Sequence, residues 1–287
     1  MLKYRLLYGI LMTVVFTAIV IFDGWLDGSL TASSADDKTV QGTILCILIA
    51  GLIIPAQLEL SRLAKAKNVR IFTPVAIIAS VLFAGTWYCR QLVEMRPMIY
   101  LFFLLASSLW ALLLYQYFRC GTSGVIANCG ASYFSIIYLG LFSAFVVGIR
   151  VDFGLWGLLM FIFVVKFADI GAYTIGVLFG KHKFSPNISP GKTWEGMGGA
   201  VTAAVIVSFL FGTCCDIMAW RPAVIFGIFI AFTGQVGDLV ESMMKRDAET
   251  KDSSNKVPGF GGILDIIDSP LFAAPFAYLF FIIACVK

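Results

Sequence analysis

Along this chain apolar residues gather into long runs separated by short polar stretches, and they do not alternate with polar ones at period two. A bilayer core requires about 20 apolar residues per helix. Nine runs approach or exceed that length, at roughly 4–22, 43–60, 71–88, 97–117, 131–149, 154–179, 197–215, 222–244 and 263–285. Without alternation a transmembrane β-barrel is excluded. The pattern predicts an all-α integral membrane protein of about nine transmembrane helices in one bundle. No linker, low-complexity tract or internal repeat divides it, so residues 1–287 read as a single membrane domain. Within it, 1–153 is expected to be lipid-facing scaffold, and 154–287 to carry the catalytic helices and cytoplasmic loops.

Composition strengthens the membrane reading. Of 287 residues, 60% are hydrophobic and 13% charged, against roughly 45–50% and 25% in soluble domains. The formal net charge is +4, too mild to point to nucleic acid. Seven scattered cysteines show no C-x-x-C spacing, and His182 is the single histidine; a disulfide framework, a zinc site and a histidine-based triad are therefore not expected. Lys3 and Arg5 before the first run would also suit a secretory signal peptide. That run is longer than a typical signal core and no small-x-small site follows it, so a retained first helix is expected.

Basic residues set the orientation. With a cytoplasmic N-terminus, 14 of the 21 Lys and Arg fall in inside segments and six outside, and the first outside loop is acidic, with Asp23, Asp27, Asp36 and Asp37. The expectation is N-terminus in and C-terminus out, in the cytoplasmic membrane of a bacterium, with the active site facing the cytoplasm.

The first five runs carry almost no ionisable residue at depth, and no chemistry is assigned to them. The second half differs: Lys166 and Asp169 lie inside the sixth run, Asp238 inside the eighth, and Asp265 and Asp268 at the start of the ninth. A charge at the centre of a membrane helix costs at least about 2.5–3.5 kcal/mol, which makes each a functional hypothesis. For Lys166 and Asp169, a helix-bracing ion pair at i, i+3 is an equal alternative. In the expected topology, carboxylates of three helices meet just below the cytoplasmic headgroups. Like charges so placed need a cation, and hard oxygen ligands select Mg2+.

Two polar segments, 180–196 and 245–262, stand over that place. Both mix Lys and Arg with Gly, Pro, Ser and Thr, which suits capture of phosphate by cations and free backbone amides. The same composition suits loops that only enforce topology and touch anionic lipid. Gly191-Lys192-Thr193 is not a P-loop, because Asn187 stands where its first glycine belongs and no strand precedes it.

At these residues the chain strongly resembles the CDP-diacylglycerol synthase (phosphatidate cytidylyltransferase) family. The resemblance lies in Gly237-Asp-Leu-Val-Glu-Ser-Met-Met-Lys-Arg-Asp-Ala-Glu-Thr-Lys-Asp252, in Pro258-Gly-Phe-Gly-Gly262 and in Leu264-Asp-Ile-Ile-Asp-Ser269. Asp169-Ile-Gly-Ala-Tyr173 and Ser189-Pro-Gly-Lys-Thr-Trp-Glu-Gly196 match as well, so about 100 residues carry the likeness. Two positions depart: Phe260 replaces a usual His and Ile266 a usual Arg. Their loss removes a proton or phosphate contact and a fixed positive charge, so substrate choice or pH dependence is expected to differ.

The resemblance implies transfer of CMP from CTP to phosphatidic acid, forming CDP-diacylglycerol and pyrophosphate at a membrane surface. It implies Asp238 and Asp265 as metal ligands, with Asp268 and Asp169 supporting them or holding a second cation, divalent or monovalent. Lys245, Arg246 and Lys251 are then expected on phosphates, and Ser189, Lys192 and Thr193 over the nucleotide. Ser242, Asp252, Gly261 and Gly262 complete the matched substrate-binding pattern. Tyr173, Trp194, Gly171, Gly176 and Gly180 are expected to anchor or pack. A homodimer is left open. Two rivals stand beside this reading: a CTP-using enzyme with another lipid acceptor, and an ion-coupled secondary transporter. A transporter needs ionisable groups reachable from both faces, whereas the outer halves of these runs are nearly free of charge.

Overall fold

The computed structural model describes residues 2–30, 38–93, 96–250, 253–254 and 261–284, without the side chains of 2–8, 10 and 97. In chain order it contains α1 (Leu2–Leu26), α2 (Thr43–Ala66), α3 (Thr73–Ala84), α4 (Thr86–Leu92), α5 (Pro97–Cys120) and α6 (Val125–Ser135). A π-helical turn (Ile136–Leu141), α7 (Phe142–Phe179), α8 (Trp194–Cys214), α9 (Trp220–Asp247) and α10 (Leu264–Ala284) follow. Among the described residues there is no strand, only isolated β-bridges. This is an all-helical integral membrane protein. Six helical stretches are long and apolar enough to cross a bilayer, and α3 with α4, bent by 57°, makes a seventh if the two are one span.

Two run boundaries take forms that hydropathy does not distinguish. The expected runs 131–149 and 154–179 are joined without a loop: within Val125–Phe179, 55 residues in all, two helices meet directly at Gly154. At about 1.5 Å per residue that is far longer than a bilayer core of about 30 Å. The axis breaks at Gly154, whose φ of 77° and ψ of −177° are open to glycine and strained for other residues. The run 71–88 is likewise divided at Gly85, between α3 and α4.

Close packing brings the site-bearing helices together. α7 lies along α8 with Gly171 facing Gly199; a Cβ on Gly199 would stand 2.5 Å from the Gly171 carbonyl oxygen. Small residues thus let the backbones touch, the packing role expected of Gly171. On the other flank a Cβ on Gly237 of α9 would stand 2.7 Å from Phe272 Cβ and 3.0 Å from the Asp268 carbonyl of α10. One hydrophobic core joins α7, α8, α9 and α10 to α2, and a second joins α2, α3, α5 and α6 to Leu264 and Leu271 of α10. Helix α10 therefore couples the two halves of the chain.

Three charges expected in watery outside loops are instead buried. Arg150 is fully buried, with Nε 3.3 Å from Asp23 Oδ2 and Nη2 2.7 Å from Asp27 Oδ2. The Ser29 hydroxyl accepts from the same Nη2 at 2.8 Å. The amides of Gly42 (3.0 Å) and Ile44 (2.8 Å) donate to Asp27 and Asp23. Pairing of this kind offsets the cost of removing charge from water, and it locks the start of α2 to α1 and α7.

Candidate active site

The C-terminal end of α9 and the N-terminal end of α10 meet here. Asp238 and Glu241 are one turn apart on α9, and Asp268 lies on α10 directly across the close contact at Gly237. One oxygen from each of the three carboxylates falls within 4.8 Å of the others. Glu241 and Asp268 are buried, while Asp238 is half-exposed. Ser242, one turn beyond Asp238, donates to Asp238 Oδ1 at 3.3 Å.

Three lysines reach into this acid group. Lys192 comes from the 180–193 segment and places Nζ 2.9 Å from Asp238 Oδ2 and 2.9 Å from the Gln235 carbonyl. Lys245 follows Glu241 by four residues, so it shares its face of α9; it pairs with Glu241 and lies 2.5 Å from Asp265 Oδ1. Lys166 donates to the Ile266 carbonyl at 2.9 Å. That carbonyl is free because the residue four further on is Pro270, which has no amide hydrogen to give it. Among the described residues no ion pair joins Lys166 to Asp169; Asp169 Oδ1 instead accepts from Gln235 Nε2 at 3.3 Å. Lys166 thus braces the proline-interrupted start of α10.

Counted over the described residues here, Asp169, Asp238, Glu241, Asp265 and Asp268 face Lys166, Lys192 and Lys245. The carboxyl groups outnumber the ammonium groups by two. Glu241 Oε1 is buried and has no hydrogen-bond partner among the described residues, a state that costs about 1–3 kcal/mol or more. An all-oxygen donor set, a surplus of carboxyl groups and an orphaned buried acceptor together fit a divalent cation such as Mg2+.

The positions named from the sequence separate into distinct roles. Asp265 is saturated by protein donors: Lys245 takes Oδ1, and Oδ2 accepts from the Gly262 amide (2.7 Å) and from the Ser253 hydroxyl (2.6 Å) and amide (3.2 Å). It ties the loop before α10 to α9. Thr193 is buried and caps α8, its hydroxyl accepting from the Gly196 amide at 3.1 Å. Ser189 lies in the turn that carries Lys192, whose amide donates to its carbonyl at 3.1 Å. Exposed Arg246 reaches that turn, donating from Nε to the Ile188 carbonyl at 3.2 Å. Gly261 has φ of 94° and precedes Gly262, where any Cβ would collide with Ser253 and Glu59. Lys251, Asp252 and the departing Phe260 lie outside the described residues.

Three acids that the sequence reading left unassigned help to build this place. Glu241 is a member of the acid group. Its signal was present as the i+3 partner of Asp238 and the i−4 partner of Lys245. Glu195, in the first turn of α8, pins the turn that carries Lys192: its carboxylate accepts from the amides of Lys181 and His182 and lies 2.6 Å from His182 Nδ1. Glu59 comes from α2, in the half assigned no chemistry. It is fully buried, and accepts from Leu264 N (2.9 Å), Ser253 Oγ (3.2 Å) and Ser254 Oγ (2.8 Å). A lone Glu in an apolar run was its only sequence signal.

The fold and the site define a class, a helical membrane bundle that gathers carboxylates and lysines at the ends of its helices. Residues 38–284 match the Cytidylyltransferase family, and the chain belongs to it. A phosphatidate cytidylyltransferase of Bacillus subtilis (strain 168) is 39% identical over 145 residues, covering 50% of this chain and 54% of the relative. One of Haemophilus influenzae is 40% identical over 133 residues, 44% of this chain and 46% of the relative. One of Staphylococcus haemolyticus (strain JCSC1435) is 34% identical over 241 residues, 82% of this chain and 88% of the relative. The chain thus spans about half the length of the first two relatives and most of the third.

Proposed function

We propose that this protein transfers CMP from CTP to phosphatidic acid, forming CDP-diacylglycerol and releasing pyrophosphate. The observation that carries the reading is the group Asp238, Glu241 and Asp268 with Lys192 and Lys245 at its edge, in a chain related to proteins named for this activity. Asp238, Glu241 and Asp268 would hold Mg2+, which when bound neutralises phosphate charge as a Lewis acid. Lys192 and Lys245, now held by carboxylates, are placed to turn to the triphosphate. An oxygen of the lipid phosphate attacks the α-phosphorus of CTP; the bond from that phosphorus to the oxygen bridging to the β-phosphorus breaks, and pyrophosphate leaves with the electron pair. The nucleophile is already an anion at pH 7, so a site without a general base suffices. Negative charge grows on the phosphoryl oxygens, where preorganised cations act.

The topology that accompanies this function has nine spans: α1, α2, the bent pair α3 and α4, α5, the two arms of Val125–Phe179 on either side of the kink at Gly154, α8, α9 and α10. Its N-terminus is cytoplasmic and its C-terminus outside, in the inner membrane of a bacterium. The 180–193 segment and the start of α10 then face the cytoplasm, where CTP arrives, while the lipid enters sideways from the leaflet. The test is purified protein with Mg2+, phosphatidic acid and CTP labelled at the α-phosphate, followed by lipid extraction. Label in CDP-diacylglycerol supports the reading. Label only in free CMP, or in no product, overturns it, and label in a different lipid alone shifts it to another acceptor.

A further inference from the structure

The π-helical turn Ile136–Leu141 lies in the half of the chain to which the sequence assigned no chemistry, and such turns concentrate at functional sites. It carries Tyr138, which is 3% exposed and whose hydroxyl has no hydrogen-bond partner among the described residues. Burying an unpaired hydroxyl costs about 1–3 kcal/mol, and a phenylalanine would avoid that cost. Packing shows where the hydroxyl stands. Tyr138 shares a core with Leu264 and Leu271, which lie four residues before and three after Asp268 on one face of α10. Its ring meets Phe142 at 5.9 Å, Phe142 meets Phe272 at 6.1 Å, and Phe272 seats against Gly237, the neighbour of Asp238. The hydroxyl feels the charges of Asp268, Glu241 and Asp238.

Two of the orphaned polar atoms among the described residues are therefore the hydroxyl of Tyr138 and the acceptor Oε1 of Glu241, whose charge that hydroxyl feels. A hydroxyl both donates and accepts, a carboxylate only accepts, and one ordered water joins them where two to four polar groups surround it. We propose that Tyr138 is a positioning residue of the carboxylate site, its hydroxyl orienting the Glu241 and Asp268 carboxylates towards the cation through one water. The inference rests on the cation reading above and adds a residue from the opposite half of the chain. Groups that orient metal ligands change metal affinity by roughly 10–100-fold when removed.

Mn2+ binding, followed by electron paramagnetic resonance of the purified protein without nucleotide, reads this directly. Tyr138→Phe keeps the ring and should weaken Mn2+ binding by about 10–100-fold. Phe134→Leu removes the ring stacked on Tyr138 at 5.7 Å without touching the hydroxyl; it should lower the melting temperature and leave Mn2+ affinity unchanged. Equal, tight Mn2+ binding by the wild type and Tyr138→Phe would overturn the role of Tyr138 alone. Equal losses of affinity in Phe134→Leu and Tyr138→Phe would also overturn it, because packing would then account for the effect. Absence of Mn2+ binding in the wild type would remove the cation, and with it both readings.

Discussion

Arg150 and the acids around Asp238 are both charges taken out of water, and they are built in opposite ways. Around Arg150 one guanidinium stands between Asp23 and Asp27, so each acid reaches a cation directly and also takes a backbone amide, from Ile44 or Gly42, although Asp23 Oδ2 and Arg150 Nε and Nη1 make no hydrogen bond among the described residues. Around Asp238 the described acids outnumber the ammonium groups, and Glu241 Oε1 has no partner. Helix α2 touches both places, through Ile44 near its start and Glu59 fifteen residues later, roughly 22 Å apart along its axis. A charge cluster in which every acid reaches a cation holds a fold together. One in which a buried acid such as Asp268 has no ion pair among the described residues is where the proposed cation would bind.

The sharpest way to break this contrast is Arg150→Met. Removing the guanidinium strands two buried carboxylates, and loss of one partner of such a pair costs about 3–5 kcal/mol. Thermal unfolding in detergent should show a large loss of stability, while CTP turnover per folded molecule stays near wild type. A stable variant would mean that the cluster is not structural. Asp238→Asn should do the reverse. Its turnover and Mn2+ affinity should each fall by about 100-fold or more, with the melting temperature nearly unchanged; turnover near wild type at saturating Mg2+ would remove Asp238 from the site.

Glu59→Ala tests whether the first half of the chain only supports the second. Three donors lose their acceptor, two of them on the loop before α10, so stability should fall by about 1–3 kcal/mol. KM for CTP should rise as Asp265 and its loop loosen. Glu59→Gln, which keeps one acceptor oxygen, should recover part of both. Loss of stability with kinetics unchanged would confine Glu59 to the fold.

The smallest effect is expected for Lys192→Met. It removes the ammonium that competes for Asp238, so Mn2+ should bind a few-fold tighter without nucleotide, within about 1 kcal/mol, while KM for CTP rises. Weaker Mn2+ binding would show that Lys192 supports the acid group rather than balancing it.

Particular residues show how far sequence reading reaches. Asp238 and Lys245 stood out by their spacing on one face of α9, Asp268 by its spacing from Asp265 at the start of α10, and Lys192 by its place in a matched polar segment. Asp265 was legible as a site residue, but its saturation by Lys245, Ser253 and Gly262 was not, since two of those donors are loop groups whose direction no periodicity encodes. Gly154 could be seen as a glycine between two runs, yet only its φ of 77° shows that the two helices meet there without a loop.

By itself the sequence determined the class: apolar runs of bilayer length force helices, because lipid offers no partner for a free amide or carbonyl. It also determined the chemistry, because carboxylates and lysines are costly in such runs and their presence needs a purpose. Only the tertiary structure decided which charges neutralise one another. Glu59 meets Leu264 across 205 residues and Arg150 meets Asp27 across 123, contacts set by how the helices pack. Whether a buried acid is satisfied or left waiting for a cation depends on those partners, and hydropathy along the chain carries no record of them.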